Sequence, residues 1–148
     1  MTIRRRAVMG ITKKELIKKL NKDLEWEYAA MVQYIQHSAA ITGAKYDSVR
    51  KELVIHAQEE MSHAIILSTQ VDYLGGIPSV NVEKVEVSVE SLAMLKQDLK
   101  GERHAIESYK QRIGEAEALK EYGLRRALED ILIQEEEHER DLQSAIKE

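Results

Sequence analysis

Leu74-Gly75-Gly76-Ile77-Pro78-Ser79-Val80-Asn81-Val82-Glu83-Lys84-Val85-Glu86-Val87-Ser88 separates two long helical patterns and decides how they are joined. Gly75-Gly76 ends the helix before it, and Pro78, the only proline of the chain, prevents that helix from resuming. The preceding helix, about 48 to 74, spans roughly 40 Å at a rise of about 1.5 Å per residue. A link of about 14 residues reaches roughly 46 Å when extended. The link therefore just travels the full length of a bundle, which makes the helices on either side of it parallel. Val80, Val82, Val85, Val87 and Val89 predict that it is extended and partly covered.

Outward from this link, the other helix ends carry signals of their own. Thr12-Lys13-Lys14-Glu15 reads as a capping box, with Ile11 and Leu16 placed as a hydrophobic staple. The first helix runs from about 13 to 41 and stops near Gly43. Asp47 or Ser48 caps the second helix, and Ser88 caps the third, about 89 to 119. The fourth fills about 122 to 147, with Gly123 weakening its first turn. The first and third connections are only a few residues long, so each helix pair is an antiparallel hairpin. The expected fold class is all-α: a four-helix bundle over 12–148, preceded by a basic tail over 1–11, its two hairpins joined by one long crossover.

Composition agrees with this and excludes other classes. The chain has 148 residues, 43% hydrophobic and 32% charged, enough for one domain with a core of its own. It has no cysteine, which excludes a disulfide scaffold, a thiolate zinc site, a rubredoxin-type iron centre and a cysteine nucleophile. The net charge of -4 gives no global attraction to nucleic acid. No apolar run has the length of a membrane span. Met1-Thr2-Ile3-Arg4-Arg5-Arg6 is basic but no apolar stretch follows, so a secretory signal is not expected and a cytoplasmic location is.

Each helix carries a stripe with alternating spacings of three and four, the seam of a bundle. The four seams read Leu20, Leu24, Glu27, Met31, Tyr34; Val49, Leu53, His56, Glu60, His63, Leu67; Leu92, Leu95, Leu99, Glu102, Ile106, Tyr109, Ile113; and Leu124, Leu128, Ile131, Glu135, His138, Leu142. All are apolar except near mid-helix, where every seam carries a carboxylate and two carry histidine. Four carboxylates facing one another in a core are strongly destabilising unless neutralised. Two divalent cations balance them if His63 and His138 are neutral. Glu-x-x-His sets both side chains on one helix face a turn apart, so each pair can hold one metal. Carboxylate and imidazole without thiolate suit iron or manganese, and zinc would also bind. Two Glu-x-x-His motifs are weak evidence alone, but the spacing is not. Glu27 precedes Glu60 by 33 residues and Glu102 precedes Glu135 by 33, while Tyr34 and Tyr109 follow Glu27 and Glu102 by seven. The two hairpins read as copies of one unit about a pseudo-twofold axis.

This ligand set is that of ferritin-like di-iron proteins, and over about 15 to 145 the chain resembles bacterioferritin. Asn21-Lys22 through Glu27 to Gln33-Tyr34, Glu60-Met61-Ser62-His63-Ala64, Leu74-Gly75-Gly76-Ile77-Pro78 and Glu135-Glu136-Glu137-His138 carry the resemblance. It implies a ferritin-like bundle with an intra-subunit ferroxidase centre of two iron ions, ligated by Glu27, Glu60, His63, Glu102, Glu135 and His138. Which carboxylates bridge is left open. It further implies an iron-storage and detoxification protein that oxidises Fe(II) with oxygen or peroxide and holds the mineral in a homo-oligomeric shell. Met61 falls where that family carries a haem-ligating methionine, so haem or a related iron porphyrin between two subunits is a second implied cofactor; alternatively Met61 packs against a neighbouring subunit. The chain lacks the short fifth helix of the 24-subunit shells, which brings a shell of 12 subunits into play. The other readings are a rubrerythrin-like di-iron or di-manganese peroxide scavenger without storage and a Dps-like DNA-protecting shell. The first needs an extra Glu ligand on the third helix, where one turn beyond Glu102 stands Ile106, with Glu107 off the seam. DNA is not expected as a partner, because Arg4, Arg5 and Arg6 supply little affinity at physiological salt. Tyr34, with Tyr109, hydrogen-bonds the carboxylates, supplies an electron near the metals, or simply packs in the core. His56, one turn from Glu60, reads as a buried structural histidine or as a holder of iron in transit.

Overall fold

The computed structural model describes residues 10–147; Arg4, Arg5 and Arg6 lie outside the described residues. Four helices fill it: α1 (Lys13–Ala40), α2 (Asp47–Tyr73), α3 (Ser91–Ala118) and α4 (Tyr122–Lys147), with a short 3-10 turn, Ala44–Tyr46, before α2. Among the described residues there is no strand. The family of architectures is therefore the expected all-α bundle. α1 packs on α2 and α3 on α4, while α1 meets α3 and α2 meets α4 across the bundle.

Local chemistry accounts for the ends. Thr12 and Glu15 form the reciprocal capping box, at 3.1 and 3.0 Å. The other two proposed caps differ. α2 starts on Asp47 behind Tyr46, because the preceding 3-10 turn already delivers the chain in helical geometry, and no side chain caps it. Ser88 instead accepts from the Glu90 amide at 3.1 Å, holding the turn before α3, which begins at Ser91. α2 closes in a Schellman motif: Gly75 takes φ 93°, its amide donates to Asp72 O, and the Gly76 amide donates to Val71 O. Gly76 is required for a second reason, since a Cβ there would stand 2.5 Å from Ile17 Cγ2. α3 ends in the same motif, but with Lys120 at φ 59° in the left-handed position. A side chain is strained there, so Lys120→Gly is expected to raise stability by about 0.5–1 kcal/mol, read as a shifted urea midpoint at constant m-value.

The crossover, 74–90, runs along α1 from its first turns to its last. Asn21 holds Ile77 O and the Ser79 amide, Tyr28 donates to Ser79 O, the Glu83 amide donates to Glu25 O, and Gln33 accepts from the Glu86 amide. Ser91 then meets Thr42 at the far end. α3 therefore runs antiparallel to α1 and parallel to α2. The segment is extended and partly covered, but the valines are not what holds it: Val80, Val82, Val87 and Val89 are exposed and only Val85 is half-buried. Polar side chains of α1 hold it instead.

Two apolar clusters, one at each end of the bundle, flank the middle. Leu16, Leu20, Leu24, Leu67, Val71, Leu124 and Leu128 fill one. Leu53, Met94, Leu95, Leu99 and Leu142 with Ile41 fill the other. Between them lie the polar seam residues, so the site is clamped at both ends by core. Leu92 alone of the third seam's apolar residues is largely exposed, and Met94 takes the buried place.

Candidate metal centre

All six residues proposed as ligands come together in the polar layer, and each is 1–2% exposed. Glu27 comes from α1, Glu60 and His63 from α2, Glu102 from α3, and Glu135 and His138 from α4. They form two overlapping tetrads whose ligand atoms lie within 4.8 Å of one another: Glu27, Glu60, His63, Glu135 and Glu60, Glu102, Glu135, His138. Glu60 and Glu135 belong to both. The arrangement thus has two positions, each with one carboxylate and one imidazole of its own, and a shared pair of carboxylates between them.

The side chains fit metal. Glu27 Oε2, Glu60 Oε1, His63 Nδ1, Glu102 Oε2 and Glu135 Oε1 are buried without hydrogen-bond partners. Five orphaned polar atoms converging in one core would cost several kcal/mol unless something ligates them. His63 Nδ1 is 3.0 Å from Glu135 Oε1 and His138 Nδ1 is 3.0 Å from Glu60 Oε1. Both imidazoles turn Nδ1 inward because Nε2–H is held outside: His63 donates to Gln134 Oε1 at 2.5 Å and His138 to Glu59 Oε2 at 3.0 Å. Outer bonds of this kind fix the tautomer that ligates. The tyrosines cross the bundle to the opposite carboxylates. Tyr34 donates to Glu102 Oε1 at 2.5 Å and Tyr109 donates to Glu27 Oε1. Burial, together with the neighbouring carboxylates, pushes both phenols well above the usual range, so both stay protonated donors.

A 75-residue register relates all of this. It maps Glu27, Tyr34, Glu60 and His63 on Glu102, Tyr109, Glu135 and His138, and it also maps Glu59 on Gln134 and Asp23 on Asp98. Asp98 meets His37 at 2.9 Å, and Asp23 meets Arg112 at 2.7 Å, where 37 and 112 are again register partners. His37 donates its other ring N–H to Glu86 O, tying the crossover to the core. The sequence reading missed Glu59, Gln134 and these two buried pairs. The register would have found them.

Without metal, the charge is balanced by protons. Burial, then the charges of the other carboxylates, raise Glu60 and Glu135 well above the carboxylate range. Burial alone would depress the histidines, but the carboxylates of Glu135 and Glu27 beside Nδ1 override it and lift His63 to about 11. Glu102 and Glu135 likewise lift His138 to about 9. Burial works against Glu27 as a charged group, yet the adjacent Glu60 and His63 side chains leave its carboxyl below the usual value.

A cavity of about 180 Å³ connects this layer to solvent on the side the crossover covers. Its walls include exposed Lys84, Lys100, Gly101 and His104 and, inside, Glu27, Glu60, Glu102 and Glu135. Trp26 and His104 also line it, their rings tilted at 58° with centroids 4.9 Å apart. Ile106 is buried in the seam and Glu107 is exposed, so α3 supplies no second carboxylate. Met61 is 49% exposed on the outer side of α2, turned away from both tetrads.

Comparison with known proteins places this geometry. The profile of the Ferritin-like domain matches residues 17–148. A bacterioferritin of Brucella melitensis is 29% identical over 125 residues, 84% of this chain and 78% of that protein. Among solved structures, a ferritin-like di-iron-carboxylate protein from Bacillus anthracis superposes with TM-score 0.87 at 28% identity, covering 90% of this chain and 96% of its own. A dodecameric thioferritin, the bacterioferritin-related protein of Bacteroides fragilis, superposes with TM-score 0.86 at 27% identity, covering 99% and 94%.

Proposed function

This chain belongs to the ferritin-like family, and on that premise we propose that it is an iron-storage and detoxification protein that oxidises Fe(II) at the buried centre of each chain. The observation that carries the reading is the pair of overlapping tetrads sharing Glu60 and Glu135, whose inward atoms have no other partner. Two Fe(II) ions are the substrate. Glu27 and His63 would hold one and Glu102 and His138 the other, with Glu60 and Glu135, common to both tetrads, available to either ion. Each ion yields one electron, so a pair reduces oxygen by two electrons to hydrogen peroxide, or peroxide to two waters. Delivering both electrons together avoids one-electron radicals.

The chain's own groups position and buffer this reaction. Gln134 and Glu59 hold the imidazoles with Nδ1 inward. Tyr34 and Tyr109 hold Glu102 and Glu27 from across the bundle. Ligation requires the protons on Glu60, Glu135, His63 and His138 to leave, so loading releases acid. The cavity beneath the crossover supplies the way in from one face. Anaerobic addition of two Fe(II) per chain, followed by oxygen, tests the assignment: oxidation should be complete within seconds, and further iron should accumulate in a particle of shell mass. A dimer that retains only two metals would favour the peroxide-scavenging alternative.

Assembly into a twelve-subunit shell built from twofold dimers is the oligomeric form we propose, given the dodecameric relative. An apolar surface across α1 and α2, with Val32, Ile35, Val54, Met61 and Ile65 exposed, supports a contact between subunits. Met61 on that surface fits an iron porphyrin: its thioether is exposed, soft, and set among apolar side chains. Bound there, the group would supply a redox centre separate from the iron pair, with one porphyrin for two chains. Met61→Leu is expected to lose the thioether axial ligation of any bound porphyrin, read as a shifted visible spectrum, while leaving Fe(II) oxidation within about twofold of wild type, because its side chain faces away from the ligands. A porphyrin spectrum unchanged in Met61→Leu means that the iron is ligated elsewhere.

A further inference from the structure

His56 is buried to 1% exposure on α2, yet its Nε2 points out between two carboxylates, 3.2 Å from Asp141 Oδ2 and 3.5 Å from Glu52 Oε1. Its Nδ1 is buried without a partner. The ligand atoms of Glu52, His56 and Asp141 lie within 4.8 Å of one another. The bundle itself does not require this chemistry. In the 75-residue register the three positions correspond to Ala127, Ile131 and Ile66, and Ile131 is fully buried core. The pseudo-symmetric copy of the cluster is therefore apolar throughout, whereas this one carries two carboxylates and an imidazole, Glu52 and His56 from the first hairpin and Asp141 from the second. The six proposed ligands and the two tyrosines keep the pseudo-symmetry; this cluster breaks it.

Position supports a role in moving cations. The cluster lies where α2 meets α4, whereas the crossover and the cavity beneath it lie along α1 and α3. Its imidazole stacks on that of His138 with centroids 4.0 Å apart. Glu59, which holds His138, shares a face of α2 with Glu52 and His56 at spacings of seven and three. Burial, and Asp141 beside it, keep the Glu52 carboxyl above its ordinary range, a repulsion that a cation would remove. Carboxylate oxygens with one imidazole nitrogen suit divalent iron, manganese, cobalt or zinc.

We propose that Glu52, His56 and Asp141 form a third divalent-cation site, a waiting position between the buried pair and the α2–α4 face. The cargo in this inference rests on the iron reading above; the site itself does not. Co(II), titrated anaerobically into the chelator-treated full chain, tests it by equilibrium dialysis with the visible ligand-field bands as a second readout. Wild type is expected to take up about three Co(II) per chain, and His56→Ile and Glu52→Gln/Asp141→Asn about two. The second variant guards against a folding failure in the first, because the Glu52 and Asp141 side chains are 44% and 45% exposed. A chain carrying Glu60→Ala and Glu135→Ala should keep one Co(II) and lose it when His56→Ile is added. Uptake of only two by wild type, or of three by either cluster variant, overturns the third site. Failure of the dinuclear reading looks different: uptake would then be unchanged by Glu60→Ala and Glu135→Ala.

Discussion

Glu60→Ala and Glu135→Ala are each expected to slow Fe(II) oxidation by at least about 100-fold while the four helices stay formed, as judged by stopped-flow oxidation and far-UV circular dichroism. Loss of a side chain that only orients a ligand typically costs about 10–100-fold. Glu60 and Glu135 stand in both tetrads, so removing either damages both metal positions at once and belongs beyond that range. Glu27→Ala and Glu102→Ala each touch a single tetrad, and Tyr34→Phe removes only a bond to Glu102; the expected order of severity is shared carboxylate, single carboxylate, tyrosine. Folding should survive because the Leu-rich clusters at either end are untouched. Glu60→Gln and Glu135→Gln keep the volume and remove a buried ionisable group from a crowd of carboxylates. Their metal-free melting temperatures should equal or exceed that of wild type, since the repulsion that raises both carboxyls disappears. Wild-type kinetics in either alanine variant would remove the ferroxidase assignment.

The centre was legible because a carboxylate at the middle of an apolar seam has no inexpensive explanation without a metal, and because 33-residue spacings recur in both halves. Helix period told which residues face inward but not which way a buried carboxylate turns, so the sharing of Glu60 and Glu135 appears only in three dimensions. Glu59 and Gln134 escaped because they precede Glu60 and Glu135 by one residue. About 100° round the helix, they look like solvent-facing polar positions, whereas each in fact closes over an imidazole from another helix. The crossover's path was legible, but what holds it was not, for a related reason. The valine spacing suggests an extended, partly covered segment, but it is Asn21, Tyr28 and Gln33 on α1 that hold its backbone, and polar residues that bind a crossing chain are indistinguishable in periodicity from residues that face water. The same limit applies to the helix ends. Thr12 and Glu15 announce a cap by their own chemistry, while α2 takes its start from the conformation of the turn before it.

Metal-free protein is expected to lose stability as pH rises from 6.5 to about 9, and divalent metal to reverse that trend. The histidines set the window. Their ordinary value is 6.5, and in the folded chain His138 is lifted to about 9 and His63 to about 11. A folded-state pKa above the unfolded one means that the folded chain holds the extra proton, so this contribution is complete below 6.5 and is lost as pH climbs toward the folded value. Glu60 and Glu135, also raised, act in the same direction from the carboxylate range upward. Glu27 is lowered, so its contribution is lost only as pH falls in the acid range and does not oppose the alkaline trend. A fully linked histidine contributes a slope of about 1.4 kcal/mol per pH unit; relaxation of a charged cluster reduces this, and a fall in Tm of at least about 5 °C across the window is the expected size. Metal competes with the same protons: every deprotonation that weakens the empty cluster creates a ligand, so the stabilisation by bound metal grows with pH. Thermal melts with excess chelator and with Zn(II), a redox-inert probe, at pH 6.5 and 9 separate the two effects. The chelated protein should melt lower at pH 9 than at 6.5, and the gap between the two curves should widen. A melting temperature indifferent to chelator at pH 9 would show that these four carboxylates and two imidazoles are balanced by something other than metal.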